Sequence, residues 1–133
     1  MRTLFADTSF FVAYLNRQDV HHGSAYEYMT LSTAPIVTST WVLVELGNFL
    51  ADGPNRGLFL TLVRRLHAQR RITIVPAAEM SFERGLRLYA ERLDKAWSVT
   101  DCVSFVMMRE RRIHEALTTD HHFEQAGFAI LLK

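Results

Sequence analysis

Cysteine is nearly missing from this 133-residue chain: Cys102 stands alone, so no internal disulfide is possible. A single thiol in an apolar stretch suits a reducing compartment and a packing role. Proline (three) and glycine (six) are sparse, which argues against a fibrous or disordered chain. Charge of one sign is missing too: the net charge is +1, so any nucleic-acid binding must rely on local patches rather than a global field. No long apolar run opens the chain, because Asp7 interrupts the only candidate. Neither a signal peptide nor a membrane anchor is therefore expected, and a cytoplasmic location is.

What is present is an ordinary globular composition, 49% hydrophobic and 22% charged. The length suits one domain over 1–133 with a sizeable core. Short apolar runs alternate with longer helical patterns. Strands are expected at 3–6, 35–39, 71–76, 115–119 and 128–132. Helices are expected at 9–16, 21–32, 40–51, 57–69, 78–93 and 98–112. The order strand–helix, repeated, with crossovers long enough for parallel pairing, predicts an α/β sheet covered by helices on both faces. No internal repeat, low-complexity tract or linker is visible.

Asp7 is the only charge between Arg2 and Arg17, in "TLFADTSFFVAYL". An unpaired carboxylate in such a run is costly to bury, so something must satisfy it or bind it. It falls where the first strand gives way to a helix, and ligands of open parallel sheets bind at such strand ends. For Asp7 alone, helix capping is the better local explanation. Glu45 is likewise alone between Glu27 and Asp52, and Asp101 between Lys95 and Arg109. Ser98 and Asp101 have the spacing of a capping box. Asp120 follows "EALTT" at another strand-to-helix junction, where capping again suffices.

Each acid has a bland explanation, but the set is harder to dismiss. Two carboxylates ~5 Å apart repel by about 3 kcal/mol at an effective dielectric near 20. Four would need a counter-charge. Lysine is nearly excluded, since only Lys95 and Lys133 occur. Arginine remains open, and so does Mg²⁺ or Mn²⁺, hard ions that favour carboxylate and water ligands.

The blocks "FADTSFFVAYL", "VLVELGNFL", "SVTDCVSFVMM" and "LTTDHHFEQAGF" together resemble the PIN-domain ribonucleases, particularly the VapC-type toxins of bacterial toxin–antitoxin pairs. The likeness runs from residue 3 to about residue 130. It implies a three-layer α/β/α sandwich with a central, mainly parallel sheet. It implies that Asp7, Glu45, Asp101 and Asp120 hold Mg²⁺ or Mn²⁺, with Thr8 and Thr100 as supporting hydroxyls. The activity it implies is endoribonuclease cleavage of single-stranded or loop RNA by metal-activated water, leaving 5′-phosphate ends. A protein antitoxin that covers the acids and a homodimer are the partners it implies. The competing reading is a catalytically inactive module on the same fold that binds RNA or protein. A haloacid-dehalogenase-type phosphatase would want an acid where Ser9 stands, and a receiver domain would want an acidic pair near the start.

Other features are weaker. Most arginines of the basic clusters "VRRLHAQRR" and "RERR" fit solvated helix ends, with one or two expected to contact RNA phosphates. The pairs His21–His22 and His121–His122 should point apart on a helix, and with one cysteine and no HExxH spacing zinc is not expected. His122, close behind Asp120, is near enough in sequence to approach a substrate there. Aromatic residues crowd the first two helices, and Trp41 and Phe49 are candidate interface residues.

Overall fold

The structure, a computed structural model, describes residues 2–133. Its first strand, β1 (Leu4–Ala6), is buried along its whole length and lies at the centre of a five-stranded sheet. Continuous burial is what a parallel strand covered on both faces requires. The chain then runs α1 (Thr8–Leu15), α2 (His22–Thr30), β2 (Ile36–Ser39), α3 (Thr40–Phe49), α4 (Asn55–Ala68), β3 (Ile72–Val75), α5 (Glu79–Glu91), α6 (Val99–Glu110), β4 (Glu115–Leu117), α7 (His121–Gln125) and β5 (Ala129–Ile130). The strand order is β3-β2-β1-β4-β5, and every pairing is parallel. The α/β class and parallel sheet expected from the sequence are what the chain adopts.

That order reverses direction at β1. The chain steps outward to β2 and β3, then returns past β1 to β4 and β5. Right-handed crossovers, the rule for such connections, put α1 to α4 on one face and α5 to α7 on the other. The switch point falls between β1 and β4, whose register pairs Leu4 with Glu115 and Ala6 with Leu117. A crevice at the carboxyl ends of these two strands follows from the topology.

Packing holds the switch point rigid. Phe105 of α6 sits edge-on to Trp97 and to Phe123, with ring centroids 5.0 and 4.9 Å away. Phe123 in turn meets Phe5 of β1 at 6.4 Å. On α1, Phe10 and Phe11 are fully buried. The His22 ring bonds the Ala13 carbonyl at 2.9 Å and ties α1 to α2. Arg71, one of the basic-cluster arginines, is structural: its guanidinium donates to the carbonyls of Tyr28, Met29 and Ala34.

The differences from sequence expectation are local. The strands expected at 115–119 and 128–132 shorten to Glu115–Leu117 and Ala129–Ile130. The first stops because the buried Thr118 hydroxyl accepts the Asp120 amide at 3.0 Å and turns the chain. The second is an edge strand paired on one side only. Among the described residues no helix is long and apolar enough to cross a membrane.

Candidate functional site

Asp7 follows β1 directly and occupies the N-cap position of α1, yet its side chain closes no cap hydrogen bond. Local capping therefore does not explain it. It is 5% exposed, and its Oδ2 accepts the Thr118 hydroxyl at 3.0 Å. Burial pushes its carboxyl up to about 7, against the pull of the nearby Thr8 amide, and the charges of Asp101 and Glu45 add to the rise.

Thr118 is the hub of this corner. Its single hydroxyl hydrogen goes to Asp7, so its 3.0 Å contact with Ser9 must run the other way, Ser9 donating. Ser9 Oγ itself accepts the Thr119 amide at 3.0 Å, and Thr118 Oγ1 also accepts the Asp120 amide. A fully buried hydroxyl thus stitches the end of β4 to the start of α1 with its hydrogen-bonding capacity used up.

Glu45 lies in the second turn of α3, whose N-terminus is capped by Ser39 Oγ accepting the Val42 amide at 3.2 Å. Thr8 Oγ1 donates to Glu45 Oε1 at 2.5 Å. The hydroxyl beside the first acid therefore reaches the second acid instead, linking α1 to α3. Thr100 lies at the start of α6 beside Asp101, and no side-chain hydrogen bond joins it to the acids.

Asp101 is 8% exposed and completes the capping box that its spacing predicts. Its Oδ2 accepts the Ser98 amide at 3.1 Å, while Ser98 Oγ accepts the Asp101 amide at 3.0 Å. The same Oδ2 lies 3.1 Å from His122 Nδ1. Burial raises its carboxyl, the Ser98 amide opposes this, and Asp120 adds to the rise. Asp120 caps α7, its Oδ1 accepting the His122 amide at 2.9 Å.

A common pattern emerges. Each of the four carboxylates has one oxygen held by a hydrogen bond: Oδ2 of Asp7 and Asp101, Oδ1 of Asp120 and Oε1 of Glu45. No further side-chain hydrogen bond among the described residues occupies the other oxygen, and beyond these only the Thr8 amide draws on Asp7. For Asp101 and Asp120, capping and ligand binding are thus not rivals, because capping uses only one oxygen. Asp7, Glu45 and Asp120 line one cleft of about 600 Å³, with Thr8, Ser9, Val20, His21 and Phe49 among its other walls. Asp101 is not among the residues that line it, and His122 ties Asp101 to Asp120. The larger groove, about 710 Å³ between α3 and α4, touches none of the four acids. Four oxygen donors, rigidly held and each with a free lone-pair set, match a hard divalent ion in chemistry.

His121 and His122 depart from the expectation that neighbours on a helix diverge. Their ring centroids are 4.6 Å apart, and their Nδ1 atoms lie 3.8 and 3.4 Å from Asp120 Oδ1. The reason is their position in the first turn of a five-residue helix, where both rings fold back toward the capping carboxylate. Among the described residues, Asp120, His121 and His122 form a group of possible metal donors lying within 4.8 Å of one another. The four acids are not drawn that close together.

Sequence reasoning missed Ser9, Thr118 and the contact of His122 with Asp101. Thr118 stands two residues before Asp120 in "TTDHHF", which was the only available signal.

An open parallel sheet with four carboxylates at its switch point defines a class of α/β protein with an acidic site. The PIN domain family matches residues 4–129, and the chain belongs to that family. Within the family it is of the VapC type. It is 30% identical over 128 residues to the 23S rRNA-specific endonuclease VapC20 of Mycobacterium tuberculosis, covering 94% of this chain and 95% of that protein. The crystal structure of Mycobacterium tuberculosis VapC20, a sarcin–ricin loop cleaving toxin, matches with a TM-score of 0.83 at 23% identity, over 98% of this chain and 99% of that one. DNA-bound VapBC from Salmonella typhimurium matches with a TM-score of 0.68 at 15% identity, over 98% of each chain. At these identities the two structures speak to fold alone.

Proposed function

We propose that this chain is a divalent-metal-dependent endoribonuclease, the toxin of a toxin–antitoxin pair, acting as a single PIN-like domain in the cytoplasm. The observation that carries this reading is the convergence of Asp7, Glu45, Asp101 and Asp120 at the switch point, each with one oxygen uncommitted. The uncommitted oxygens are Oδ1 of Asp7 and Asp101, Oδ2 of Asp120 and Oε2 of Glu45, and these would hold Mg²⁺ or Mn²⁺. When bound, such an ion polarises the scissile phosphate and lowers the pKa of a water. The chain's own part is to fix the acids before substrate arrives: Thr118 orients Asp7, Thr8 orients Glu45, and Ser98 orients Asp101. A carboxylate oxygen of the set accepts the proton of the attacking water. The attack comes from water, so the 5′ ends of the fragments carry phosphate.

The substrate class is single-stranded or loop RNA. Similarity to an endonuclease specific for 23S rRNA supports a ribosomal RNA loop as the first substrate to try. Membership of the VapC type, the toxin half of toxin–antitoxin pairs, supports a cognate antitoxin as partner. A homodimer is the assembly expected of the family.

The test is to incubate the purified, partner-free protein with a mixed RNA pool and with a hairpin carrying the 23S sarcin–ricin loop. Mg²⁺, Mn²⁺ and chelator are compared, with Asp7→Asn and Asp101→Asn alongside. Discrete fragments with 5′-phosphate ends, dependent on metal and lost in both variants, are the expected result. Fragments ending in 2′,3′-cyclic phosphate, or cleavage surviving both substitutions, would overturn it. The absence of both cleavage and metal-induced stabilisation would favour a catalytically inactive binding module.

A further inference from the structure

The nuclease reading occupies the four acids and leaves His122 without a role. Its ring is mostly buried, with 21% of the side chain exposed. Nδ1 lies 3.1 Å from Asp101 Oδ2 and 3.4 Å from Asp120 Oδ1. Its backbone amide donates to that same Asp120 oxygen at 2.9 Å. One residue therefore touches two acids carried by different elements, Asp101 in the first turn of α6 and Asp120 at the cap of α7.

The tautomer follows from the surroundings. Both atoms that face Nδ1 are carboxylate oxygens, which only accept. A lone pair on Nδ1 would confront two acceptors, so Nδ1 carries the hydrogen, whatever the state of Nε2. The shorter contact, to Asp101, is the hydrogen bond. Asp101 Oδ2 then receives two donors, the Ser98 amide and the His122 ring, and the carboxylate cannot rotate without losing both.

We propose that His122 is a positioning residue: it locks Asp101 and Asp120 relative to each other so that each presents its remaining oxygen to the same ion. This inference rests on the nuclease reading above, but it concerns binding of the ion and can be read without any RNA. Two carboxylates that would otherwise repel are held at a set spacing by a donor lying between them. Outer-shell donors of this kind typically govern metal affinity and activity by 10–100-fold.

The test uses the full chain, stripped of metal, and titrates Mn²⁺ by calorimetry. Three variants are compared: His122→Ala, His122→Asn and His122→Gln. Asparagine places its amide nitrogen where Nδ1 stands, whereas glutamine reaches the Nε2 position. His122→Ala should weaken Mn²⁺ binding by about tenfold or more, and His122→Asn should return to within about threefold of wild type. His122→Gln should resemble the alanine variant. Long-range ¹H–¹⁵N spectra of the metal-free protein should show hydrogen on Nδ1 of His122.

Mn²⁺ binding unchanged in His122→Ala, in a wild type that binds Mn²⁺ and cleaves RNA, would overturn this inference and leave the nuclease reading standing. Preference for Zn²⁺ over Mn²⁺, lost in His122→Asn, would make the ring a metal ligand and overturn it as well. A wild type that neither binds Mn²⁺ nor cleaves RNA would overturn both.

Discussion

Thr118 and Asp7 lie 111 positions apart, and the hydroxyl of one donates to the carboxylate of the other at 3.0 Å in the buried heart of the site. Thr118→Val keeps the shape and removes the hydroxyl. The Asp7 oxygen, the Asp120 amide and the Ser9 hydroxyl each lose a partner. Leaving buried polar groups unpaired should cost about 1–3 kcal/mol. Thermal melting of Thr118→Val should fall accordingly, Thr118→Ser should restore most of the loss, and Mn²⁺ affinity should drop with the stability.

The buried Asp7 also predicts a pH dependence. Its carboxyl sits at about 7 in the folded chain, against 3.8 when unperturbed. A raised acid favours folding while protonated. That contribution is complete below the unfolded value and is lost as pH climbs through the folded one. Asp101 is shifted in the same direction. Metal-free protein should therefore melt higher at pH 5 than at pH 8. Asp7→Asn should flatten the profile and raise the melting temperature at pH 8. Mn²⁺ should stabilise wild type at pH 8 and not Asp7→Asn. A wild-type profile as flat as that of the variant would count against burial as the cause.

The contact between α5 and α6 depends on one glycine. A Cβ at Gly85 would lie 2.4 Å from Val103 Cγ2 and 3.0 Å from the Val103 Cα. Gly85→Ala should force the helices apart and cost about 1–3 kcal/mol, as overpacking does. Because α6 carries Asp101, Mn²⁺ binding should weaken too. Adding Val103→Ala should recover only part of the stability, since the clash with the backbone persists. Denaturant melts of the two variants give the comparison.

Arg112 adopts the left-handed conformation, with φ at 57°, where α6 ends and the Ile113 amide reaches back to the Met108 carbonyl at 2.9 Å. That conformation costs a side-chain-bearing residue about 1–2 kcal/mol, and helix ends of this kind ordinarily use glycine. Arg112→Gly should therefore raise stability, by less than that cost because glycine also loosens the unfolded chain. A lower melting temperature would mean that the Arg112 side chain contributes packing that offsets the strain.

The strand–helix rhythm was legible because periodicity is local: each short apolar run declares itself within a few residues. The four acids stood out for a related reason. A lone carboxylate in an apolar run has a large desolvation cost to offset, and the cost can be inferred from the neighbours in sequence. Ser98 and Asp101 were readable as a capping box because three residues of spacing suffice. The ends of the last two strands were less legible, since Thr118 and the sheet edge set them.

Sequence by itself determined the fold class, the places where acids meet strand ends and the family to which the chain belongs. Tertiary structure alone decided that Thr8 serves Glu45, that Thr118 joins Asp7 to Ser9, and that His122 spans Asp101 and Asp120. It also decided which oxygen of each acid stays free. Most of these contacts join residues tens of positions apart, with no periodicity to announce them. They exist only because the reversal of strand order at β1 brings the ends of β1 and β4 and the starts of α3 and α6 to one place.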